Sequence, residues 1–316
     1  MRLIAHRGPA GHHRFGVLVE GGWARTSRLF SEAPVPTAEC LEIARHEAER
    51  HRVRPLDELR AAIPVFPAKI VCVGLNYRDH VAEGAGREVP EWPLLFAKFP
   101  SAVVASGEPI VRPEGTHALD LEVELGVVIG RWARRVAAED AMGHVAGYVV
   151  VNDVSARDWQ GNKAALAEGR KGDGQWLRAK SSDTFLPMGP VFVTADELDP
   201  AAGLRLRSWR IPGPGGPGGA GGPGGAGHAR AGEPQLMQDG STADMIFGIP
   251  ELIAFISRHI TLQPGDVIAT GTPSGVGVFR DPPVFLEPGD RVRCEIEGIG
   301  SVENPIVDWM DDPREA

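Results

Sequence analysis

The stretch Leu119-Asp120-Leu121-Glu122-Val123-Glu124-Leu125-Gly126-Val127-Val128-Ile129 decides how this chain is read. Acidic and apolar residues alternate through its first half, and its end is continuously apolar. In a strand, successive side chains point to opposite faces. Asp120, Glu122 and Glu124 then fall on one side and Leu121, Val123 and Leu125 on the other. Two readings are open: a half-buried strand with a solvated acidic face, or carboxylates gathered at a site. Acidic residues are poor strand formers, and carboxylates on one face repel when no Lys or Arg stands among them. A hard, oxygen-seeking divalent cation such as Mg²⁺ would remove that repulsion.

A third carboxylate follows. Asp153 comes after the apolar run Gly147-Tyr148-Val149-Val150-Val151 and so sits at the carboxyl end of a second strand. It reads either as a third ligand beside Glu122 and Glu124 or as a turn or helix-capping aspartate.

Working outward, most of the chain reads as strands with turn punctuation. Lys69-Ile70-Val71-Cys72-Val73-Gly74 has a buried-strand pattern. Pro264-Gly265-Asp266 and Pro288-Gly289-Asp290 are matching turns leading into strands Val267–Ala269 and Arg291–Ile296. One helix is predicted from Ile249 to Arg258, with Leu252, Ile253 and Ile256 on one face. The absence of regular βαβ alternation argues against a doubly wound parallel sheet. The first residues alternate weakly around Gly turns, and Thr37 can cap a helix that turns Leu41, Ile43 and Ala44 inward. Pro64 and Pro67 punctuate the chain, which divides it into a small N-terminal domain, 1–66, and a main domain, 67–310.

Residues 213–227 read GPGGPGGAGGPGGAG, within a flexible Gly/Pro-rich insertion spanning 212–232. The repeat is too short for a collagen helix and cannot bury a core. It lies between Leu204–Trp209 and Gln235–Gln238, which read as the two strands of a hairpin.

Composition limits the function classes. The 316 residues carry 33 Lys+Arg against 42 Asp+Glu, a net charge of −9, which disfavours nucleic acid and anionic membrane as partners. No apolar run is long enough to cross a bilayer, and the N-terminus lacks an apolar stretch of signal-peptide length, so a cytoplasmic protein is expected. Cys40, Cys72 and Cys294 are scattered, which excludes a disulfide framework and a zinc cluster.

Two more segments carry chemistry. In Gly74-Leu75-Asn76-Tyr77-Arg78-Asp79-His80-Val81-Ala82-Glu83-Gly84, Asn76 can cap a short helix with Asp79 in the capping-box position and Gly84 at its end. His80 and Glu83 then share a face. They form either a carboxylate-oriented general base or a surface pair. The Gly84-Ala85-Gly86 segment and Pro90 suggest a closing lid. Lys180 offers a cation, and the loop Thr270-Gly271-Thr272-Pro273-Ser274-Gly275 can present backbone N–H groups to an anion.

These pieces, in this order, resemble the fumarylacetoacetate hydrolase family. The resemblance rests on Val73–His80, Asp120–Leu125, Asn152–Gln160, Lys180–Phe185, Gln238–Ile246 and Thr270–Pro273, and it runs from about Lys69 to Asp308. It implies an α+β, β-rich fold of mixed β-sheets in a sandwich-like roll, usually a homodimer. It implies Glu122, Glu124 and Asp153 as ligands of Mg²⁺, with Mn²⁺ or Ca²⁺ as alternatives. His80, Glu83 and Lys180 would be catalytic, and Arg157, Gln160, Gly271 and Thr272 would bind a small oxo acid. Val73 stands where the fumarylacetoacetate-cleaving enzyme has an extra metal-binding aspartate, which points away from that substrate.

The implied reaction is metal-dependent hydrolysis of a C–C bond in a 2,4-dioxo acid, with a pyruvate enolate as the leaving fragment, in aromatic-compound or sugar-acid catabolism. Isomerisation of 2-hydroxyhepta-2,4-diene-1,7-dioate and decarboxylation of oxaloacetate are alternatives at the same site. A protein that only binds metal and oxo acid is the non-enzymatic alternative.

Overall fold

The computed structural model describes residues 1–8, 11, 13–25, 35–36, 38–50, 52–84, 88–161, 174–214 and 232–314. Strand Val123–Ile129, every residue of it buried, lies near the middle of the larger of two main sheets. It pairs antiparallel with Val145–Asn152 on one side and with Val267–Ala269 on the other. Beyond Val267–Ala269 come Ile70–Gly74, in parallel, and then Leu94–Lys98. Beyond Val145–Asn152 come Val191–Thr194, then Arg2–Arg7 and His13–Val19 from the start of the chain. The first strand is therefore hydrogen-bonded into the same sheet as the acidic strand, and its Leu3 and Ile4 belong to the same apolar core.

A five-stranded sheet packs against this one. Its order is Gln235–Ser241, Arg205–Ile211, Arg291–Ile296, Gly300–Asp308 and Ile110–Arg112. Strands Arg291–Ile296 and Gly300–Asp308 lie against Val145–Asn152, so the core is the apolar layer between two sheets. The fold is mostly β with mixed sheets, as the family resemblance implies. Both predicted turns are present: Gly265 and Gly289 take φ of +90° and +94°, the left-handed region that glycine reaches without strain, and strands start at Val267 and Arg291. The helix spans Ile249–Ser257 and buries Leu252, Ile253 and Ile256. The hairpin pairs Arg205–Ile211 with Gln235–Ser241. Residues 215–231 of the Gly-rich insertion, the Thr37 cap and Ala85–Arg87 of the expected lid lie outside the described residues.

Two expectations need correction. Leu119–Ile129 is not one continuous strand. Leu119–Asp120 pairs with Ser155–Ala156 in a separate two-stranded sheet, and the main-sheet strand begins at Val123. Nor is the acidic side solvated, because Asp120, Glu122 and Glu124 are all buried. The second correction concerns Asn76, which caps nothing. The helix is Arg78–Glu83 with Tyr77 at its N-cap. The Asn76 side chain is buried and ties three segments together, donating to the carbonyls of Phe247 (3.1 Å) and Thr270 (2.7 Å) and accepting from Phe247 N (2.9 Å).

Removing that amide would leave three buried backbone groups without partners. Asn76→Ala is therefore expected to lower the unfolding free energy by about 2–4 kcal/mol, read from the denaturant midpoint. A second prediction concerns pH. The His6 ring is buried against Trp23, with ring centroids 4.5 Å apart, and burial lowers its pKa, aided by nearby Arg14 and Arg54. The unfolded state then binds more protons than the folded state. Stability from this group is present above about pH 6.5 and lost as pH falls through the lowered folded value. Thermal midpoints measured between pH 7.5 and 5 should drop, and His6→Phe should flatten that drop.

Candidate active site

Local backbone geometry brings the carboxylates together. The Asp153 N–H donates to Glu122 O (2.9 Å), and the Glu122 N–H donates to Asn152 Oδ1 (2.9 Å), so the break in the acidic strand is fastened to the end of its neighbour. Glu122, Glu124 and Asp153 each place a carboxylate oxygen within 4.8 Å of the others, and all three are buried. Glu124 Oε2 accepts the Gly271 N–H at 2.9 Å. The Gly/Thr loop does present backbone N–H groups to anions, and those anions are side chains of the protein itself. Gly277 N and Val278 N donate to Asp120 at 2.8 and 3.1 Å. Gly271 has φ +97°, and a Cβ there would meet Asn76 Cβ at 2.8 Å, so only glycine fits.

The carboxylates are not left to repel one another. Arg157 pairs with Asp120 (2.9 Å) and Glu122 (2.6 Å), and Lys180 bridges Glu122 (2.6 Å) and Asp153 (2.7 Å). Lys98 approaches Asp153 Oδ1 at 2.7 Å. Its ammonium hydrogen-bonds the carbonyls of Val154, Lys180 and Phe185, which uses all three N–H groups and leaves Asp153 Oδ1 without a hydrogen bond. Local charge repulsion, one argument for a cation drawn from the strand alone, is thus largely met by side chains distant in sequence. Lys98 was missed; its only signal is a single charge inside Leu94-Leu95-Phe96-Ala97-Lys98-Phe99.

Four carboxylates face three cations, so one carboxylate is left without a cation beside it. Burial alone would raise Glu122, but Arg157 and Lys180 overcome it and hold Glu122 well below the usual carboxylate range. Glu124 has no direct cationic partner among the described residues. Burial, then Asp153 and Glu122, push it well above that range. Burial likewise favours the neutral form of Lys180, yet Asp153 and Glu122 outweigh it and raise the ammonium pKa. Three oxygen donors, one of them lacking a hydrogen bond and another destabilised as an anion, fit a hard divalent cation such as Mg²⁺.

His80 meets Glu83 as the i, i+3 spacing predicts: Nδ1–H donates to Oε1 at 2.6 Å, leaving Nε2 for chemistry. Glu83 Oε2 accepts from Gly275 N (2.8 Å), and Asp79 accepts from Ser274 N and Oγ (3.2 and 2.7 Å), so both ends of the short helix are pinned to the loop. Gln160 accepts from Arg157 Nη1 at 3.2 Å. Thr272 donates its hydroxyl proton to Val123 O (2.9 Å) and faces the site as an acceptor.

A cavity of about 390 Å³ collects these groups. His80, Glu88, Glu122, Glu124, Asp153, Arg157, Gln160, Lys180 and Thr272 form its polar lining, while Leu75, Leu94, Phe96, Trp176 and Phe279 form an apolar wall. Glu83 and Gly271 stand behind the lining, each holding a residue in front of it.

The family model described as fumarylacetoacetate (FAA) hydrolase C-terminal matches residues 69–307. The mitochondrial oxaloacetate tautomerase FAHD2B of Bos taurus is 40% identical, over 97% of this chain and 92% of that protein. The mitochondrial oxaloacetate tautomerase FAHD2A of Homo sapiens is 42% identical, over 84% of this chain and 76% of that protein. The structure of 5-carboxymethyl-2-hydroxymuconate delta-isomerase from Mycobacterium smegmatis superposes with a TM-score of 0.70 at 33% identity, covering 98% and 99% of the two chains. That of 2-hydroxyhepta-2,4-diene-1,7-dioate isomerase from Mycobacterium marinum gives 0.69 at 32%, with the same coverage. The expected cytoplasmic location is corrected by these relatives: the oxaloacetate tautomerases at 40–44% identity over most of the chain are mitochondrial proteins, which points to that location instead. With a model match across most of its length and relatives above 40% identity, the chain belongs to the fumarylacetoacetate hydrolase family.

Proposed function

We propose that this protein is a metal-dependent enzyme that moves protons between the keto and enol forms of a small 2-oxo acid, with oxaloacetate as the first candidate. One observation carries the reading: His80, held from behind by Glu83, and Lys180 face the same cavity as the carboxylate triad. The oxaloacetate tautomerases and dienedioate isomerases among the relatives support it, since both names describe rearrangements of oxo acids or their enols.

Glu122, Glu124 and Asp153 would hold Mg²⁺, which when bound supplies Lewis-acid polarisation of the substrate's oxygens. A divalent cation there would add positive charge beside Lys180 and Arg157, matching a carboxylate ligand. Glu83 fixes the His80 tautomer, so Nε2 takes a proton from the carbon beside the ketone and passes it to the enolate oxygen, or carries it from the enol hydroxyl back to that carbon in the reverse direction. The Lys180 ammonium stabilises the developing oxyanion. Thr272, presenting a lone pair, accepts from an enol hydroxyl. The apolar wall of Phe96, Trp176 and Phe279 keeps water from the reacting carbon.

Hydrolysis of a 2,4-dioxo acid is the second reading, favoured by the same free His80 Nε2, which can instead deprotonate a water held in the cavity. Attack on the 4-carbonyl would then release pyruvate. Decarboxylation of oxaloacetate needs neither that water nor a proton acceptor at carbon, and it ranks third.

The discriminating assay follows enol absorbance of oxaloacetate with chelator-stripped protein, with and without Mg²⁺. Metal-dependent acceleration of enol–keto exchange without pyruvate is the expected result. Pyruvate formed in step with loss of an acylpyruvate would replace it with the hydrolase, and pyruvate from oxaloacetate with the decarboxylase. His80→Ala should lower turnover by about 10²–10⁴ while calorimetry shows Mg²⁺ affinity unchanged. Lys180→Met should lower turnover by about 10²–10³. Full activity in His80→Ala would remove it as the base.

A further inference from the structure

The sheet loses its backbone ladder at the site. On the acidic strand, Val267–Ala269 pairs with Gly126–Val128 and no further; after the Thr270 N–H bond to Leu125 O (3.1 Å) the chain swings away as the loop to Gly277 and opens the cavity. Val123, the residue between Glu122 and Glu124, therefore has no backbone partner on that side. Side chains take the ladder's place. The Val123 N–H donates to Gln238 Oε1 (2.9 Å), the Thr272 hydroxyl donates to Val123 O (2.9 Å), and Gln238 Nε2 donates to Thr272 Oγ1 (2.7 Å). The three residues form a closed ring of hydrogen bonds. Its polarity is unambiguous, because Val123 N can only donate to the atom facing it and Pro273 O, 2.8 Å from Gln238 Nε2, can only accept.

The hairpin strand is shaped to deliver this amide. Its pairing with Arg205–Ile211 slips one residue between Gln238 and Leu236, a bulge that breaks the in–out alternation and buries Met237 and Gln238 in succession. Gln238 is 1% exposed, and its four hydrogen-bonding positions are all used, the fourth by Ser208 Oγ at 2.9 Å. An amide held so completely, at the point where the ladder fails, fixes the peptide on which two neighbouring carboxylates depend.

We infer that Gln238 is a positioning residue for the cation site: with Thr272 it locks the Val123 peptide and so sets the spread of the Glu122 and Glu124 carboxylates. The inference rests on the reading of Glu122, Glu124 and Asp153 as cation ligands, and it extends the site to the hairpin that carries the Gly-rich insertion.

Titration calorimetry with MgCl₂ on the chelator-stripped full chain tests it without turnover. Gln238→Met and Thr272→Val should each weaken Mg²⁺ binding by about tenfold or more, the usual effect of losing a residue that orients ligands. The double variant should be little worse than either single, since both cut one ring. Ser208→Ala, which removes a bond to the same amide but leaves the ring closed, should lower the thermal midpoint and bind Mg²⁺ like the unsubstituted protein. Unchanged affinity in the single variants, losses that multiply in the double, or an equal loss in Ser208→Ala would overturn the inference. If Gln238→Met does not fold, Thr272→Val against Ser208→Ala decides it by the same criteria. An unsubstituted protein that binds no divalent cation overturns the ligand reading itself, and the inference falls with it.

Discussion

Burying an ion strips it of water, at an effective expense of several kcal/mol even after the protein relaxes, and an unpaired buried carboxylate escapes this only by taking up a proton. The fold gathers Asp120, Glu122, Glu124 and Asp153 in one dry region. Lys180, clasped between Glu122 and Asp153, is the contact that makes this tolerable, with Arg157 and Lys98 completing the set. Each of these cations also has a structural duty. Lys98 gathers three carbonyls from different segments, and Arg157 joins the short strand at Asp120 to Gln160. Glu124 is the exception: among the described residues its hydrogen bond is the Gly271 N–H, and burial, then its like-charged neighbours, push its pKa up. That residual instability is where a bound cation would be worth most.

The same region explains why the chain needs a loop rather than another strand beside Val123–Ile129. A continued ladder would have filled the space that is now the cavity. By leaving the sheet after Ala269, the chain trades backbone pairing for side-chain hydrogen bonds from Thr270, Thr272 and Gln238, and it brings Ser274 and Gly275 under the helix that carries His80 and Glu83. Acid–base pair, ammonium and carboxylates are thus referred to one rigid element, the buried central strand. Preorganisation of this kind keeps polar groups aimed without a reorganisation penalty at the moment of reaction.

Much of the fold and site was legible in the residues. Alternation and turn chemistry placed the strands at Val267 and Arg291, the Ile249–Ser257 helix and the hairpin around the insertion, because these depend on neighbours a few residues apart. The His80–Glu83 pair was readable for the same reason: an i, i+3 spacing on a helix is a local distance. The meeting of Glu122 and Glu124 was read from strand period, but Glu122 lies in the break before Val123 and is set there by its bonds to Asn152 and Asp153.

Other features lie beyond local pattern. Asn76 reads as a cap because its neighbours fit the motif, yet partners at Phe247 and Thr270 claim its side chain. Whether the acidic face is solvated or gathered at a site stays open in the residues because nothing nearby in the chain covers it, whereas the fold buries it. Its compensating cations come from positions 98, 157 and 180, and Gln238 is turned inward by a one-residue slip in a distant hairpin. The sequence by itself determined which residues share a face, where strands and turns begin, and which family the motifs belong to. Tertiary structure alone decided which charges pair, which amides are shared and where the ladder gives way to a cavity, because those depend on contacts between segments that strand period and helix pitch do not encode.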